Sequence, residues 1–279
     1  MAHVDADPVV IDLNVDAALA LMTLAGIDEY PAVLALLPNV FRVEDQERVH
    51  AVMVEELAHA GILDDDGVHP RVRHWLQCLY RPDMELVARI VDTGVDCGPQ
   101  AMLRMSLVRR DDTHVLALRC DDHVVIQPVF VEGRQLPPIT GVVAAALGPR
   151  EPLRFEPMSA TLQQFTDVPS EPDERRQVLR ELGAGAHTAA VLTRALGEVV
   201  RRAEVLMVEH RDGGSTQTEV CVSVLDTLSG RILVTPSRAV DGRIWSTYAP
   251  GDGAAVHASI GSLLELLPGR SWFDTVRTD

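Results

Sequence analysis

The sequence predicts an α+β fold built twice over, and three observations carry that prediction. Apolar residues make up 47% of 279 residues, enough to bury a sizeable core. Each half runs in the same order: helices, then antiparallel strands, then a helix. The halves also close alike, on Val143-Ala-Ala-Ala-Leu-Gly-Pro149 and Leu263-Leu-Glu-Leu-Leu-Pro-Gly269, which points to an ancient duplication with approximate two-fold symmetry. Two unrelated α+β halves are the alternative. The duplicated reading expects a single domain over 1–279, with halves at about 1–152 and 153–279. They share one sheet about a pseudo-dyad, and the Pro-rich stretch 149–172 is their only joint.

Residues 8–15 alternate as a half-buried strand does. Asp16 is placed to cap a helix over 17–25, which Gly26 closes. A second helix spans 46–60, with Val49, Val52, Met53, Leu57 and Ala60 on one face and Glu47, Arg48, Glu55 and Glu56 on the other. Asp64-Asp-Asp-Gly67 is a turn. Pro70 opens a helix over 70–80 that buries Val72, Trp75, Leu76 and Leu79. Strands follow at 102–109, 114–120 and 123–130, with Asp111-Asp112 and Asp121-Asp122 turning between them. A helix over 138–147 stops at Gly148-Pro149.

In the second half Ser170 is placed to cap a helix over 172–182, and another helix covers 187–196. Strands follow at 204–210, 216–225, 231–236 and 244–248, separated by Asp212-Gly213-Gly214, Ser229-Gly230 and Asp241-Gly242. A last helix, 254–267, lines up Val256, Ile260, Leu263, Leu264 and Leu267.

Composition excludes several classes of function. The net charge of −16 repels phosphate backbones and anionic lipid, so nucleic acid and membrane are poor partners. No apolar run reaches the roughly 18 residues of a membrane span. The first residues carry Asp5 and Asp7 in place of a basic cluster and apolar run, so the expected compartment is the cytosol. The 4 cysteines, Cys78, Cys97, Cys120 and Cys221, form no CxxC pair and read as reduced thiols. There is no lysine, and all 25 basic residues are arginine. P-loop nucleotidases, Schiff-base enzymes, protein kinases and SxxK acyl enzymes all need a lysine and are excluded.

The motifs weigh against chemistry. Gly183-Ala-Gly185 suggests a dinucleotide loop, but such a loop follows a strand and this one follows a helical segment. Asp64-Asp-Asp-Gly67 lacks the spacing and distal Glu of a calcium loop. The 10 histidines show no HExxH pattern. His50 and His59 sit roughly 900° apart around a helix and face opposite ways. No GxSxG elbow marks a nucleophile. No metal or organic cofactor is expected. In the strand from Thr216, one face carries Thr216, Thr218, Val220 and Val222 and the other Gln217, Glu219, Cys221 and Ser223. The second face is either ordinary exposed sheet or partner surface. Trp245 is either core or a binding anchor.

Longer patterns carry a family resemblance. The run Thr216-Gln-Thr-Glu-Val-Cys-Val-Ser-Val-Leu-Asp226, with Asp226-Thr, Gly230-Arg231, Asp241-Gly242 and Pro250-Gly251 after it, resembles the C-terminal strands of EspG proteins, chaperones of type VII (ESX) secretion. Leu263-Leu-Glu-Leu-Leu-Pro-Gly269 followed by Trp272-Phe273, and Ala60-Gly-Ile-Leu-Asp-Asp-Asp-Gly67 followed by Trp75-Leu76 and Arg81-Pro82-Asp83, fit the same family. The wording of 216–251 is most similar to the ESX-3 branch, whereas the first-half turn Arg109-Arg110-Asp111-Asp112-Thr113 is shorter than the loop that branch tends to have.

The resemblance implies a pseudo-two-fold α+β fold with a central antiparallel sheet and two helical bundles. It implies a cytosolic chaperone that binds PE–PPE heterodimers at the helical tip of the PPE subunit, keeps them soluble and directs them to secretion. A free homodimer stays open. The expected contact surface has a floor of Val220, Val222, Ile232 and Val234 and a rim of Thr216, Gln217 and Thr218. The turn Arg109, Arg110, Asp111 and Asp112 reaches over it. The competing reading is a hydrolase with a non-motif active site; a third is a structural dimer with no cargo role.

Overall fold

The computed structural model describes residues 8–40, 42–93 and 101–277. Strand β1 (Ile11–Asn14) leads into α1 (Val15–Ala25), a 3₁₀ turn at Ala32–Leu34, and α2 (Val43–His59). A short hairpin, β2 (Leu63–Asp64) and β3 (Gly67–Val68), precedes α3 (Pro70–Tyr80). A meander follows: β4 (Met84–Asp92), β5 (Met102–Arg110), β6 (Thr113–Cys120) and β7 (His123–Pro128). Helix α4 (Pro137–Leu147) ends the first half. The second half opens with β8 (Met158–Thr161), α5 (Leu162–Thr166), α6 (Pro172–Glu181) and α7 (Ala186–Leu196). Its strands are β9 (Val199–Arg211), β10 (Gly214–Gln217), β11 (Val222–Thr227), β12 (Gly230–Arg238) and β13 (Ile244–Pro250). Helix α8 (Gly253–Ser262) and a 3₁₀ turn at Leu263–Leu266 close it.

Among the described residues an 11-stranded sheet takes in both halves, in the order β1-β7-β6-β5-β4-β9-β11-β12-β13-β8, with β10 beside β9. The order is the same read outward from either side of the β4–β9 pair. Each half places a meander from the centre and closes its edge with the strand that began it.

Several local readings shift. Strand β4 went unread, because in Met84-Glu-Leu-Val-Ala-Arg-Ile-Val the face opposite Met84, Leu86, Ala88 and Ile90 mixes Val87 and Val91 with Glu85 and Arg89 and blurs the alternation. The 216–225 strand is broken: β10 and β11 share one lane beside β9, with an irregular stretch at 218–221 between them. The last helix gives way to a 3₁₀ turn from Leu263. Asn14, not Asp16, caps α1, its Oδ1 accepting from Ala17 N at 2.7 Å. Glu171, not Ser170, caps α6. The stretch 149–172 carries β8 and α5 and is bonded to the sheet where Leu153 N donates to Arg231 O at 2.9 Å. Cys97 lies outside the described residues.

The sheet is covered unequally. On one face α1, α2 and α3 bank against the first half, burying Leu21, Trp75, Leu76, Val108 and Ile126. On that same face α6 and α7 bank against the second half, burying Leu179, Leu192 and Ile232. The opposite face is sealed by α4 and α8, whose Ile139, Val143 and Ile260 pack on Leu86, Leu107, Val224 and Leu233.

After α8 the chain crosses the end of β5, β6 and β9, and a buried ion pair holds it there. Arg109 is 2% exposed. Its Nη1 meets Asp83 Oδ2 at 3.0 Å, its Nε donates to Trp272 O at 2.6 Å, and its Nη2 donates to Thr275 O. Asp83 also accepts from Asp111 N at 2.8 Å and Arg277 N at 2.9 Å. Trp272 is fully buried, and its indole N–H donates to His114 Nε2 at 3.1 Å.

Two outcomes follow. Arg109→Ala strands Asp83 as an uncompensated buried charge and lowers the unfolding free energy by about 3–5 kcal/mol in urea titration. Adding Asp83→Ala costs less than the sum of the two single changes. Burial, and then the Arg109 charge, lower the His114 pKa from 6.5 to about 4. The folded state therefore holds His114 neutral, and the unfolded chain takes up its proton first. Stability present above pH 6.5 is lost as pH falls towards about 4. The urea midpoint should drop between pH 7 and pH 4.5, and His114→Gln should flatten that drop.

Candidate functional site

The groove expected from the sequence does not assemble as one surface. Arg109 is core, not rim, because Asp83 and the C-terminal carbonyls consume its donors. Asp111 and Asp112 are exposed, but their turn lies beside α3 and the C-terminal tail: Arg110 Nη1 donates to Gln77 O at 3.4 Å. A two-residue turn with Asp111 at φ 51 is too short to reach the second-half strands. Thr218 is 3% exposed. Its amide donates to Met207 O at 2.9 Å and its hydroxyl accepts from Met207 N at 3.4 Å, fastening the irregular stretch to β9.

The expected floor also divides. Val222 is buried under α4 and α8, whereas Ile232 and Val234 pack towards α6 and α7. The ladder pairs Ser223 with Val234, and neighbouring strand residues face opposite ways, so Val222 and Val234 cannot share a face. Val220 is half-buried in the irregular stretch. Thr216 and Gln217 remain exposed. They line a groove of about 810 Å³ with Pro236, Arg238, Val240, Leu266 and Leu267.

The register assembles a different surface, which the sequence reading missed. One row of cross-strand neighbours crosses the face that bears both helical bundles: Arg119, Arg104, Arg89, Glu204, Ser223, Val234 and Tyr248. Arg89, Arg202 and Glu204 are exposed on the central strands, so the sheet is uncovered between the bundles and forms the floor of a trough.

The two ends of the row differ. Arg104 Nη1 donates to Val33 O at 3.3 Å and Arg119 Nη1 to Leu34 O at 2.8 Å, which ties the arginines to the first bundle. Burial, and then the charges of Arg119 and Arg89, lower the pKa of Arg104. At the other end Tyr248 packs on Phe165 of α5 with ring centroids 4.4 Å apart. No signal short of the strand register places these residues in one line.

At one end of the trough lies a cavity of about 520 Å³, walled by Tyr30, Leu79, Tyr80 and Pro82. Inside it Ser215 Oγ is 2.8 Å from His210 Nδ1, and His210 Nε2 is 3.4 Å from Glu85 Oε2. Ser215 and His210 are direct cross-strand partners, and that pairing accounts for their contact. Among the described residues no group of His, Cys, Asp and Glu is arranged to hold a metal ion, and no helix is long and apolar enough to cross a membrane.

A continuous antiparallel sheet with helices banked at both ends of one face is a known architecture. It is the fold of EspG5 of Mycobacterium tuberculosis, solved in complex with a PE25-PPE41 dimer: the TM-score is 0.78 at 22% identity, over 95% of this chain and 99% of that one. The chain belongs to the EspG family, whose model matches residues 14–262. It is 33% identical to the ESX-3 secretion-associated protein EspG3 of Mycolicibacterium smegmatis, over 95% of this chain and 90% of that protein. It is 28% identical to the ESX-1 secretion-associated protein EspG1 of Mycobacterium tuberculosis, over 96% and 92%.

The burial of Thr218 makes a sharp contrast with its neighbour. Thr218→Arg should lower stability by roughly 3 kcal/mol or more, because a guanidinium enters the core unpaired. Thr216→Arg, on the exposed strand, should stay within about 0.5 kcal/mol of wild type. Thermal melts of the two variants test the assignment.

Proposed function

We propose that the protein is a cytosolic type VII secretion chaperone that binds a PE–PPE heterodimer through the helical tip of its PPE subunit. It keeps the pair soluble and directs it to secretion, with no bond made or broken. The observation that carries this reading is the uncovered trough in a member of the EspG family. A sheet sealed on one face by α4 and α8 is left open between two bundles on the other, and a paired-helix tip has the shape to enter that opening. Val234, Tyr248 and half-buried Leu206 offer apolar surface. Arg89, Arg202 and Glu204 offer polar contacts that orient the cargo more than they add affinity.

The whole chain acts as one unit in this reading, its halves meeting near residue 152, because both line the trough. Of the residues first expected at the contact, Ile232 and Val234 support the second-half wall. Thr216 and Gln217 lie outside it.

Capture from cells co-expressing the cognate PE–PPE pair tests the proposal. Wild-type protein should bring down both subunits. Arg89→Glu reverses an exposed charge on the floor and should weaken capture tenfold or more, about 1.4 kcal/mol. Undiminished capture by folded Arg89→Glu and Arg202→Glu variants would move the contact off the trough. Capture of no PE–PPE pair by wild type would remove the chaperone reading.

A further inference from the structure

We infer that the free edge of β10 is a second docking site, independent of the trough, which takes an extended peptide segment as an added strand. Among the described residues β10 pairs with β9 alone, and Gly214, Ser215, Thr216 and Gln217 are all exposed. Thr218 N bonds Met207 O, and ladder bonding alternates residue by residue. Thr216 and Gly214 are therefore bonded to Glu209 and Arg211, while Ser215 and Gln217 face His210 and Val208 in non-bonded pairs. The N–H and C=O groups of Ser215 and Gln217 accordingly point away from β9, along the open edge.

The next lane is vacant at this level. Strand β12 runs beside β11 from Gly230 and turns at 239–242. Near that turn Arg238 still reaches across to Glu219 at 2.5 Å. Beyond it no described strand lies alongside Gly214–Gln217.

What makes the edge a site is the space on its two faces. Ser215 contributes to the cavity of about 520 Å³, with Tyr30, Leu79 and Tyr80. Thr216 and Gln217 contribute to the groove of about 810 Å³, with Pro236, Leu266 and Leu267. The two cavities thus flank one strand. A strand laid along β10 projects its side chains alternately to the same two faces, one towards each cavity. Backbone bonding to Ser215 and Gln217 supplies affinity; the groove, with Val240, Leu266 and Leu267, takes the apolar side chains at alternate positions, and the cavity, which Glu85 and His210 also line, takes the polar ones between them. Val240, 109% exposed at the groove, is an apolar side chain such a segment would cover.

A second copy of this chain suits the edge less well. Two chains of net charge −16 repel, and a four-residue edge gives far less than the roughly 800 Å² per partner of a stable interface. A flexible segment from another protein escapes both objections.

The probe is a fluorescein-labelled hexapeptide of alternating Thr and Leu, read by fluorescence anisotropy against its block isomer of three Leu and three Thr. The alternating peptide should bind at least tenfold tighter. Gln217→Pro deletes one outward donor, leaves the β9 bonds of Gly214, Thr216 and Thr218 in place, and should weaken binding tenfold. Val240→Asp should also weaken it, and both variants should keep wild-type capture of the PE–PPE pair. Methylating alternate amides of the peptide tests the same bonds without altering the protein, and should abolish binding in one of the two registers. Equal binding of the two isomers, or insensitivity to both Gln217→Pro and peptide methylation, overturns the proposal. So does a wild-type dimer in sedimentation that Gln217→Pro dissociates, since a second copy would then fill the edge.

Discussion

The pairing of β4 with β9 is the constraint on which the rest of the structure depends. Met84 meets Glu209 at one end and Asp92 meets Arg201 at the other, with Ala88 opposite Val205 at the middle. This ladder joins strands from different halves, so the pseudo-dyad passes through it. Both strands are covered on the α4–α8 face, where Leu86, Ala88, Ala203 and Val205 are buried. A slip of one residue would turn those side chains into the trough and bring Arg89 and Glu204 into the core. The register of this pair therefore fixes the core and the candidate site together.

From that pair the architecture follows by repetition. Each meander leaves the centre in the opposite direction, and each half returns its first strand to an outer edge. The preceding helices of each half then fall on one face, far from the dyad. Helices α4 and α8 follow the last strand of each meander and come back over the centre of the other face. Duplication thus explains why one face is sealed while the other is open in its middle. A single copy could enclose only one side of that opening.

Much of this was legible in the sequence, for identifiable reasons. The turns at Asp111-Asp112 and Asp121-Asp122 announced themselves by residue type, and Asp111 and Asp121 adopt φ of 51 and 52. Pro70 and Pro172 stand at the helix starts they signalled. Strand β4 was not legible, because Val87 and Val91 alternate with Glu85 and Arg89 on its trough face and blur the period-two signal. The break between β10 and β11 was hidden because Thr216 to Val222 alternates well on paper, while Thr218 turns inward to serve Met207. Arg109 read as a turn charge since its partner Asp83 lies 26 residues earlier. The trough row draws its members from strands up to the far end of the sheet, so no local window contains it. Thr216 and Gln217, read as rim, are exposed, whereas Thr218 beside them is buried.

The symmetric frame acquires direction from what the halves do not share. The first half sets Arg89, Arg104 and Arg119 in the central row, and the second sets Glu204, Ser223 and Val234 at matching distances from the dyad, with Tyr248 one strand further out. Under the proposed function, a cargo turned end for end in the trough would exchange its contact with Val234 for the Arg119 guanidinium, already committed to a carbonyl of the first bundle. Desolvating that cation against an apolar surface is unfavourable, so that reading favours one orientation. The second asymmetry is β10, which among the described residues has no counterpart beside β4 and adds a free edge inside the second half. Edges of this kind are usually shortened or charged to prevent association. Here the strand is short, yet its side chains are Ser, Thr and Gln without a single charge. Shortness limits the edge to a small partner, and the absence of charge leaves it able to accept one.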